Sequence, residues 1–559
     1  MNMSQYYIPL VALLLASPAA LPAAEPAKPS AKPNIVIILA DDMGYSDPGY
    51  MGGEARTPNL DRLSKEGVTF LNCFNNAKCA PTRASLMTGM SCQRVKCFKS
   101  AGNITANHAT SMAEVLGANG YSTIIAGKWH INPMPMEVGF QRQFGVDLQP
   151  YYFKPDATKD KKLKPIYLDG VPIDISKLPE DWYSTDAYTD FAIKTIETDA
   201  ISKNKPFFLY LAYTAPHGPG GAPKEDVDKY LNTYDAGVDV VRQQRYARMV
   251  EKAIVNPETW KLPPYEPDKK LGEIRWDHFS GKQQALFKRK LAVTAGMIDR
   301  LDQNVGRLIE FLKKRGVNDN TLIVFLSDNG ATAEEGAYGG LPFDELTDQQ
   351  IATLGIRGTT PPGTSGAVVA TVMNTPLRFF KTTLWEGGMR TSMIVHWPGH
   401  MSSAVAGKYV RDPVAVFDLA PSCYQAAGVV YPPAIKGRTL QPMDGISLLP
   451  LLDGGNLPAR DLCFSYKDFQ VVRNERWKLL GKYHTRNDKQ EPWQLFDLSV
   501  DQSEITDVAS KHPDVVKQLA AEWDKWDKQI GVIKGYQDYW DGKGKKNKES
   551  DTEDENDKE

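Results

Sequence analysis

Short apolar runs without alternation recur along the chain. Residues 34–40 (NIVIILA), 122–126 (STIIA), 206–213 (PFFLYLAY), 321–326 (TLIVFL) and 392–395 (SMIV) each place apolar side chains at consecutive positions. A strand with one wet face alternates apolar and polar residues. A run that is apolar throughout reads as a strand buried on both faces, the pattern of a parallel sheet covered by helices. Segments with helical spacing lie between some of these runs, at 111–119, 184–198 and 284–314. The alternation predicts an α/β fold: a large mixed, mostly parallel sheet sandwiched by helices.

Polar residues follow the runs in a regular way. Asp41 and Asp42 come after the first, Lys128 and His130 after the second, His217 after the third, and Asp328 and Asn329 after the fourth. Ligands of open α/β sheets bind beyond the carboxyl ends of the strands. The four groups are therefore expected on one rim.

The two ends of the chain differ from its middle. Residues 8–16 (IPLVALLLA) precede Ala19, Ala20, Ala23 and Ala24. This is the layout of a signal peptide, too short to span a bilayer, and it predicts export to a periplasmic or secreted location. Residues 1–24 are assigned to it and 25–32 to a Pro/Ala/Lys linker; no later run is long and apolar enough to form an integral membrane segment. The main α/β domain is placed at 33–455. Short runs at 464–465, 470–473, 477–481 and 493–497 then read as antiparallel strands, followed by a helix at 512–527 with Val515, Val516, Leu519 and Trp523 in apolar spacing. They predict a smaller C-terminal α+β subdomain at 456–540 containing an antiparallel sheet. Residues 541–559 are charged throughout and cannot bury enough surface to order themselves. Two long segments, 222–280 and 331–374, read as functional loops or lids. The first is rich in Arg and aromatic residues, which suggests a pocket for a polar group such as a sugar.

Acids and bases nearly balance, leaving a formal net charge of -2. No global field recruits nucleic acid or an acidic membrane, so recognition of an anion must be local. Local chemistry is available. Asp41 and Asp42 repel one another, and a nearby cation would relieve them. Asp328-Asn329-Gly330 reads either as a type I′ turn or as further oxygen donors. Three carboxylates and an amide suit Ca²⁺, with Mg²⁺ second, rather than zinc. The six cysteines include no CxxC pair. In an exported protein some could pair, and Cys79 could then be a partner of Cys73, Cys92 or Cys97, or a buried thiol.

The stretch from Cys79 through Pro81 and Arg83 to Thr88-Gly89 resembles the C-x-P-x-R-x4-T-G signature of type I sulfatases, within the alkaline phosphatase-like superfamily. Gly127-Lys128-Trp129-His130 resembles the family's G-K-W-H segment, Pro216-His217 its leaving-group histidine, and Lys381 with Glu386-Gly387-Gly388 its K-x4-E-G-G pattern. The resemblance runs from Asn34 to about Trp526. It implies hydrolysis of a sulfate ester through 3-oxoalanine (formylglycine), made from Cys79 by a formylglycine-generating enzyme or an anaerobic sulfatase-maturating enzyme. It further implies Ca²⁺ held by Asp41, Asp42, Asp328, Asn329 and modified Cys79. Lys128 and Lys381 would bind sulfate, and Arg83 would stabilise formylglycine. His130 would assist the elimination step, and His217 would protonate the leaving alcohol, aryl or sugar. Two other readings stand beside it: a phosphodiesterase or phosphonate monoester hydrolase of the same superfamily, and a non-catalytic binder of sulfated glycans. The segment between Asn329 and Lys381 is longer than the family pattern suggests, so it is expected to shape the leaving-group pocket.

Overall fold

The computed structural model describes residues 32–538, apart from 99–101, 149–150, 157–162, 267–270, 272–273 and 485–488. The expected signal peptide, most of the linker and the charged tail lie outside the described residues. The first strand, β1 (Asn34–Ala40), is wholly buried. Its residues divide between two cores: Val36 and Ile38 pack on one face, Ile35, Ile37 and Leu39 on the other. This is why the run shows no alternation. The same division holds for β5 (Phe207–Ala212) and β6 (Thr321–Ser327) once β2 (Val68–Phe74), β3 (Ser122–Lys128) and β4 (Arg142–Val146) are counted before them.

With β7 (Arg390–His396), the central order is β2-β7-β6-β1-β5-β3-β4, within a sheet of eleven strands among the described residues. β1 pairs in parallel with β5 and β6, and β3 in parallel with β5 and β4. β7 runs antiparallel to both β2 and β6. The sheet is thus mixed and mostly parallel. β7 has a consequence for the site: its amino end lies at the rim where its neighbours have carboxyl ends. A residue that precedes β7 can therefore meet residues that follow β1, β2, β5 and β6.

Helices cover both faces. On one lies α2 (Gly281–Lys314), whose start is fixed by a capping box between Ser280 and Gln283. On the other lies α1 (Cys79–Thr88), every residue of which is buried. The segment 331–374, expected as a loop or lid, contributes α3 (Gly366–Met373), which is buried along its whole length. Ala367, Val368, Val369, Ala370 and Val372 have no polar face to turn outward, so this helix belongs to the core. In segment 222–280, Arg245 pairs with Asp47 and Glu54, and Arg248 with Glu54. These two arginines hold the main domain together instead of lining a sugar pocket.

The C-terminal part forms its own antiparallel sheet of β8 (Leu462–Tyr466), β9 (Phe469–Arg473), β10 (Trp477–His484) and β11 (Gln494–Asp497), with a further short strand at Lys489–Gln490. α4 (Pro513–Ile530) packs Leu519 and Trp523 against it. The sheet's other face meets the main domain through a shared apolar cluster that includes Phe74, Leu384, Trp385, Phe464, Val471 and Phe496.

Candidate active site

The rim is built by abrupt exits from strands. β1 ends at Ala40, and Asp42 follows with φ 64°, a left-handed conformation that Asp tolerates better than most residues. The Asp41 N–H donates to the Ala215 carbonyl beyond β5 (3.1 Å), and the Asp42 N–H donates to Asp328 Oδ1 beyond β6 (3.3 Å). Three strand ends are thereby tied together. After β6, neither Asn329 nor Gly330 has a positive φ, so this is no type I′ turn. Gly330 is needed for a different reason: a Cβ there would stand 1.8 Å from the Gly387 carbonyl oxygen. The close approach brings the segment before β7 against the segment after β6, and the Lys381 N–H donates to the Ala331 carbonyl (3.0 Å).

Cys79 opens α1, and Lys78 at the N-cap supplies no side-chain cap. The helix therefore presents its partly positive end with Cys79 Sγ 3.4 Å from Asp41 Oδ1. Arg83, one turn further along, is wholly buried and forks onto Asp328 Oδ2 through Nε (2.9 Å) and Nη2 (2.8 Å), while Nη1 donates to the Lys128 carbonyl (2.9 Å). Lys128 is the last residue of β3 rather than a residue beyond it, and its Nζ donates to Asp41 Oδ2 at 2.9 Å. Lys381 Nζ lies 3.0 Å from Asp42 Oδ1 and 3.4 Å from His217 Nε2. His217 Nε2 is 3.5 Å from Asp42 Oδ2, and its Nδ1 is bonded to the Gly218 carbonyl. Tyr152 Oη sits 2.6 and 2.7 Å from the carbonyls of Thr214 and His217, bracing that turn.

The electrostatics set these groups apart from ordinary buried ion pairs. Burial opposes charge on Asp41, yet Lys128, His217, Arg83 and Lys381 together hold its carboxyl well below the usual range. Asp328 moves the other way: burial and the adjacent Asp41 push it up to about 7 against the pull of Arg83. Burial, with Lys128 and Arg83, lowers His130 well below the ordinary histidine value. Its Nδ1 is buried without a hydrogen-bond partner, as is Asn329 Oδ1. Burial raises the Cys79 thiol far above its normal value; a plain cysteine here is not a thiolate. No disulfide occurs among the described residues, and Cys79 is a free buried side chain.

One oxygen, sulfur or nitrogen atom from each of Asp41, Asp42, Cys79 and His217 lies within 4.8 Å of all the others. The carboxylates of Asp41, Asp42 and Asp328 and the unpartnered Asn329 oxygen form a hard donor set, which fits Ca²⁺ or Mg²⁺. The structure brings Asp41, Asp42, Cys79, Arg83, Lys128, His217, Asp328, Asn329 and Lys381 into one contiguous group, with His130 beside it. Two further residues join that were not expected from the sequence. Glu334 bridges Lys78 (2.6 Å) and Lys381 (3.3 Å). Their only sequence signal is proximity, Lys78 to Cys79 and Glu334 to Gly330, and it carries no spacing rule.

A cationic clamp and an acidic cluster at the carboxyl rim of a mostly parallel α/β sheet suit a site that holds a small anionic group beside a metal ion. Comparison with known proteins gives the family. The Sulfatase family pattern matches residues 33–429, and the pattern "N-sulphoglucosamine sulphohydrolase, C-terminal" matches 377–529. An arylsulfatase of Klebsiella aerogenes is 32% identical over 74% of this chain and 91% of its own length. The N-acetylglucosamine-6-O-sulfatase of Bacteroides thetaiotaomicron is 25% identical over 92% of this chain and 89% of its own. The crystal structure of Ps i-CgsB superposes with a TM-score of 0.63 at 26% identity, covering 94% of this chain and 99% of that one. The chain belongs to the sulfatase family, alkaline phosphatase-like in fold, and is a sulfuric ester hydrolase. Among the described residues, no helix is long and apolar enough to cross a membrane.

Proposed function

We propose that this protein is an exported, Ca²⁺-dependent and formylglycine-dependent hydrolase of sulfate monoesters of sugars or aryl alcohols. The observation that carries this reading is the packing of Cys79 against Asp41, Asp42 and His217, with ligand atoms all within 4.8 Å of one another. Burial raises the Cys79 thiol above its usual pKa, whereas a hydrated aldehyde at the same position would offer oxygen nucleophiles to the same group of donors. The relatives support a glycan substrate. One solved structure is described as Ps i-CgsB in complex with k-i-k-neocarrahexaose; it is 27% identical with a TM-score of 0.61 and covers 89% of this chain.

Asp41, Asp42, Asp328 and Asn329 would hold Ca²⁺, which would supply Lewis-acid stabilisation of the negative charge at the site. Oxidised by a formylglycine-generating or anaerobic maturating enzyme, and hydrated, position 79 would supply one hydroxyl to attack sulfur and another whose proton is lost to expel sulfate. The chain's own residues do the rest. Lys128 and Lys381 hold sulfate oxygens and stabilise the charge that develops during transfer. Arg83 fixes Asp328 and the helix that carries position 79. His217 donates a proton from Nε2 to the departing alcohol oxygen, a step worth about 10²–10⁴-fold. His130, whose Nδ1 has no hydrogen-bond partner, would accept the proton of the second hydroxyl.

Peptide mass spectrometry after co-expression with a formylglycine-generating enzyme tests the reading. The Cys79 peptide is expected to lose roughly 18 Da, the change that turns a thiol into the aldehyde precursor of the nucleophile, and the modified protein to release sulfate from 4-nitrophenyl sulfate. An unmodified Cys79 beside a fully converted control peptide would overturn it.

A further inference from the structure

A line of alternating charge leads out of the site. Asp42 touches Lys381, Lys381 touches Glu334, and Glu334 touches Lys78. Glu334 is its most exposed member: its side chain is 25% exposed, against about 1% for Lys381 and 11% for Lys78. Glu334 is thus the acidic group on the solvent side of the sulfate-binding cations. It takes no part in the cluster of Asp41, Asp42, Cys79 and His217.

Its placement is built in. The Glu334 N–H donates to Thr332 Oγ1 (3.2 Å), and that hydroxyl donates to Glu334 Oε2 (3.3 Å). Thr364 Oγ1 donates to the Glu334 carbonyl (2.7 Å). Buried Lys290 then clamps the same segment through the carbonyls of Tyr338 (2.8 Å) and Thr364 (2.6 Å). Burial opposes its charge, but Lys78 and Lys381 hold the carboxyl well below its ordinary range.

A sulfate monoester carries one negative charge near neutral pH, while a phosphate monoester carries about 1.5–2. The two groups share shape and size, so charge is the property left to tell them apart. A fixed anion behind the binding lysines reduces the net pull of the clamp, and the dianion loses more by it than the monoanion. We propose that Glu334 is a positioning residue that sets the charge of the sulfate site and thereby favours monoanionic sulfate esters over dianionic phosphate esters. The inference rests on the sulfate hydrolase reading above.

Full-length protein with its aldehyde content measured, as wild type, Glu334→Gln and Glu334→Asp, tests it. The readout is kcat/KM for 4-nitrophenyl sulfate and 4-nitrophenyl phosphate at pH 8. Glu334→Gln is expected to raise the phosphate-to-sulfate ratio by at least about tenfold, because Glu334 stands 3.3 Å from the Lys381 ammonium that would hold the anion and repels the additional charge of the dianion. Inorganic phosphate should also become a tighter inhibitor, while Glu334→Asp, which keeps the charge, stays near the wild-type ratio. Equal loss of both activities in Glu334→Gln, with the ratio unchanged, would show that Glu334 only staples the segment and overturns this inference alone. Aldehyde-bearing wild-type protein that hydrolyses neither ester would overturn the hydrolase reading itself.

Discussion

Two clusters of buried charge lie five residues apart along the segment that leads into β7, one around Lys381 and one around Glu386. They are built on opposite principles. Around Lys381, three carboxylates crowd together, Asp328 is pushed up to about 7, and Asn329 Oδ1 and His130 Nδ1 have no partner. Around Glu386, each carboxylate has a cationic partner within ion-pair distance, although Arg473 Nε makes no hydrogen bond. Glu386 Oε1 meets Lys478 Nζ (3.0 Å) and Oε2 meets Arg390 (3.2 Å); Lys478 also meets Glu504 (2.5 Å). Arg473 lies over the Phe74 ring and Arg390 over Trp260. Burial opposes charge on Glu386, yet Lys478, Arg473 and Arg390 hold its carboxyl down at about 2. A cluster with frustrated groups and open acceptors is set up to receive a ligand. A cluster that pairs its acids with bases joins parts of the fold, here the C-terminal sheet to the K-x4-E-G-G segment that precedes β7.

The largest expected effect separates the two by outcome. Cys79→Ala should lower sulfate ester hydrolysis by more than about 10⁴-fold, as loss of a nucleophile does. The protein should still unfold within about 2 °C of wild type, because deleting a small buried thiol disturbs little packing. Thermal unfolding alongside the assay checks both. A large drop in the unfolding midpoint would mean that this cluster, too, is structural, and the comparison would break.

Lys478→Met should do the reverse. Removing one partner of a buried pair leaves Glu386 and Glu504 under-compensated, at a cost of about 3–5 kcal/mol in stability. Activity per folded, modified molecule should stay within a few-fold. The double variant Lys478→Met/Glu386→Gln should recover much of the loss, since coupled neighbours are not additive. Urea unfolding of the set measures this. A single-variant loss below about 1 kcal/mol, the scale of an exposed pair, would show that the second cluster is not what joins the sheet.

Much of this was legible in the sequence, and the failures have physical causes. The runs at 34–40 and 321–326 were readable because both faces of their strands are buried, leaving no alternation to misread. β2 (VTFLNCF) passed unnoticed because Thr69 and Asn72 interrupt it, although both are buried in the sheet. The direction of β7 was not legible at all. A fully buried strand has the same pattern either way, yet its direction is what lets Lys381 reach Asp42. The core site residues stood out because motif spacing marks them. Glu334 and Lys78 did not, since their meeting depends on how segment 331–374 folds back. The same is true of Arg245 and Arg248, whose acidic partners lie about 200 positions earlier in the chain.

The smallest effect sharpens the contrast through pH. Glu386 has a folded value of about 2 against an ordinary 4.5. Between these values the unfolded chain binds a proton that the folded chain refuses, so lower pH favours unfolding. The stabilisation from Glu386 is therefore complete above pH 4.5 and is lost as pH falls toward 2. Other acids titrate in the same window, so the informative quantity is the difference between wild type and Glu386→Gln. That difference should be constant from pH 7 to 5. It should then shrink below pH 4.5, at no more than about 1.4 kcal/mol per pH unit, the limit for one proton. Urea unfolding at pH 6, 5, 4 and 3.5 reads it directly. Parallel curves down to pH 3.5 would mean that Glu386 is not held as a charged group by Lys478, Arg473 and Arg390. The seam between the two sheets would then rest on its apolar cluster alone.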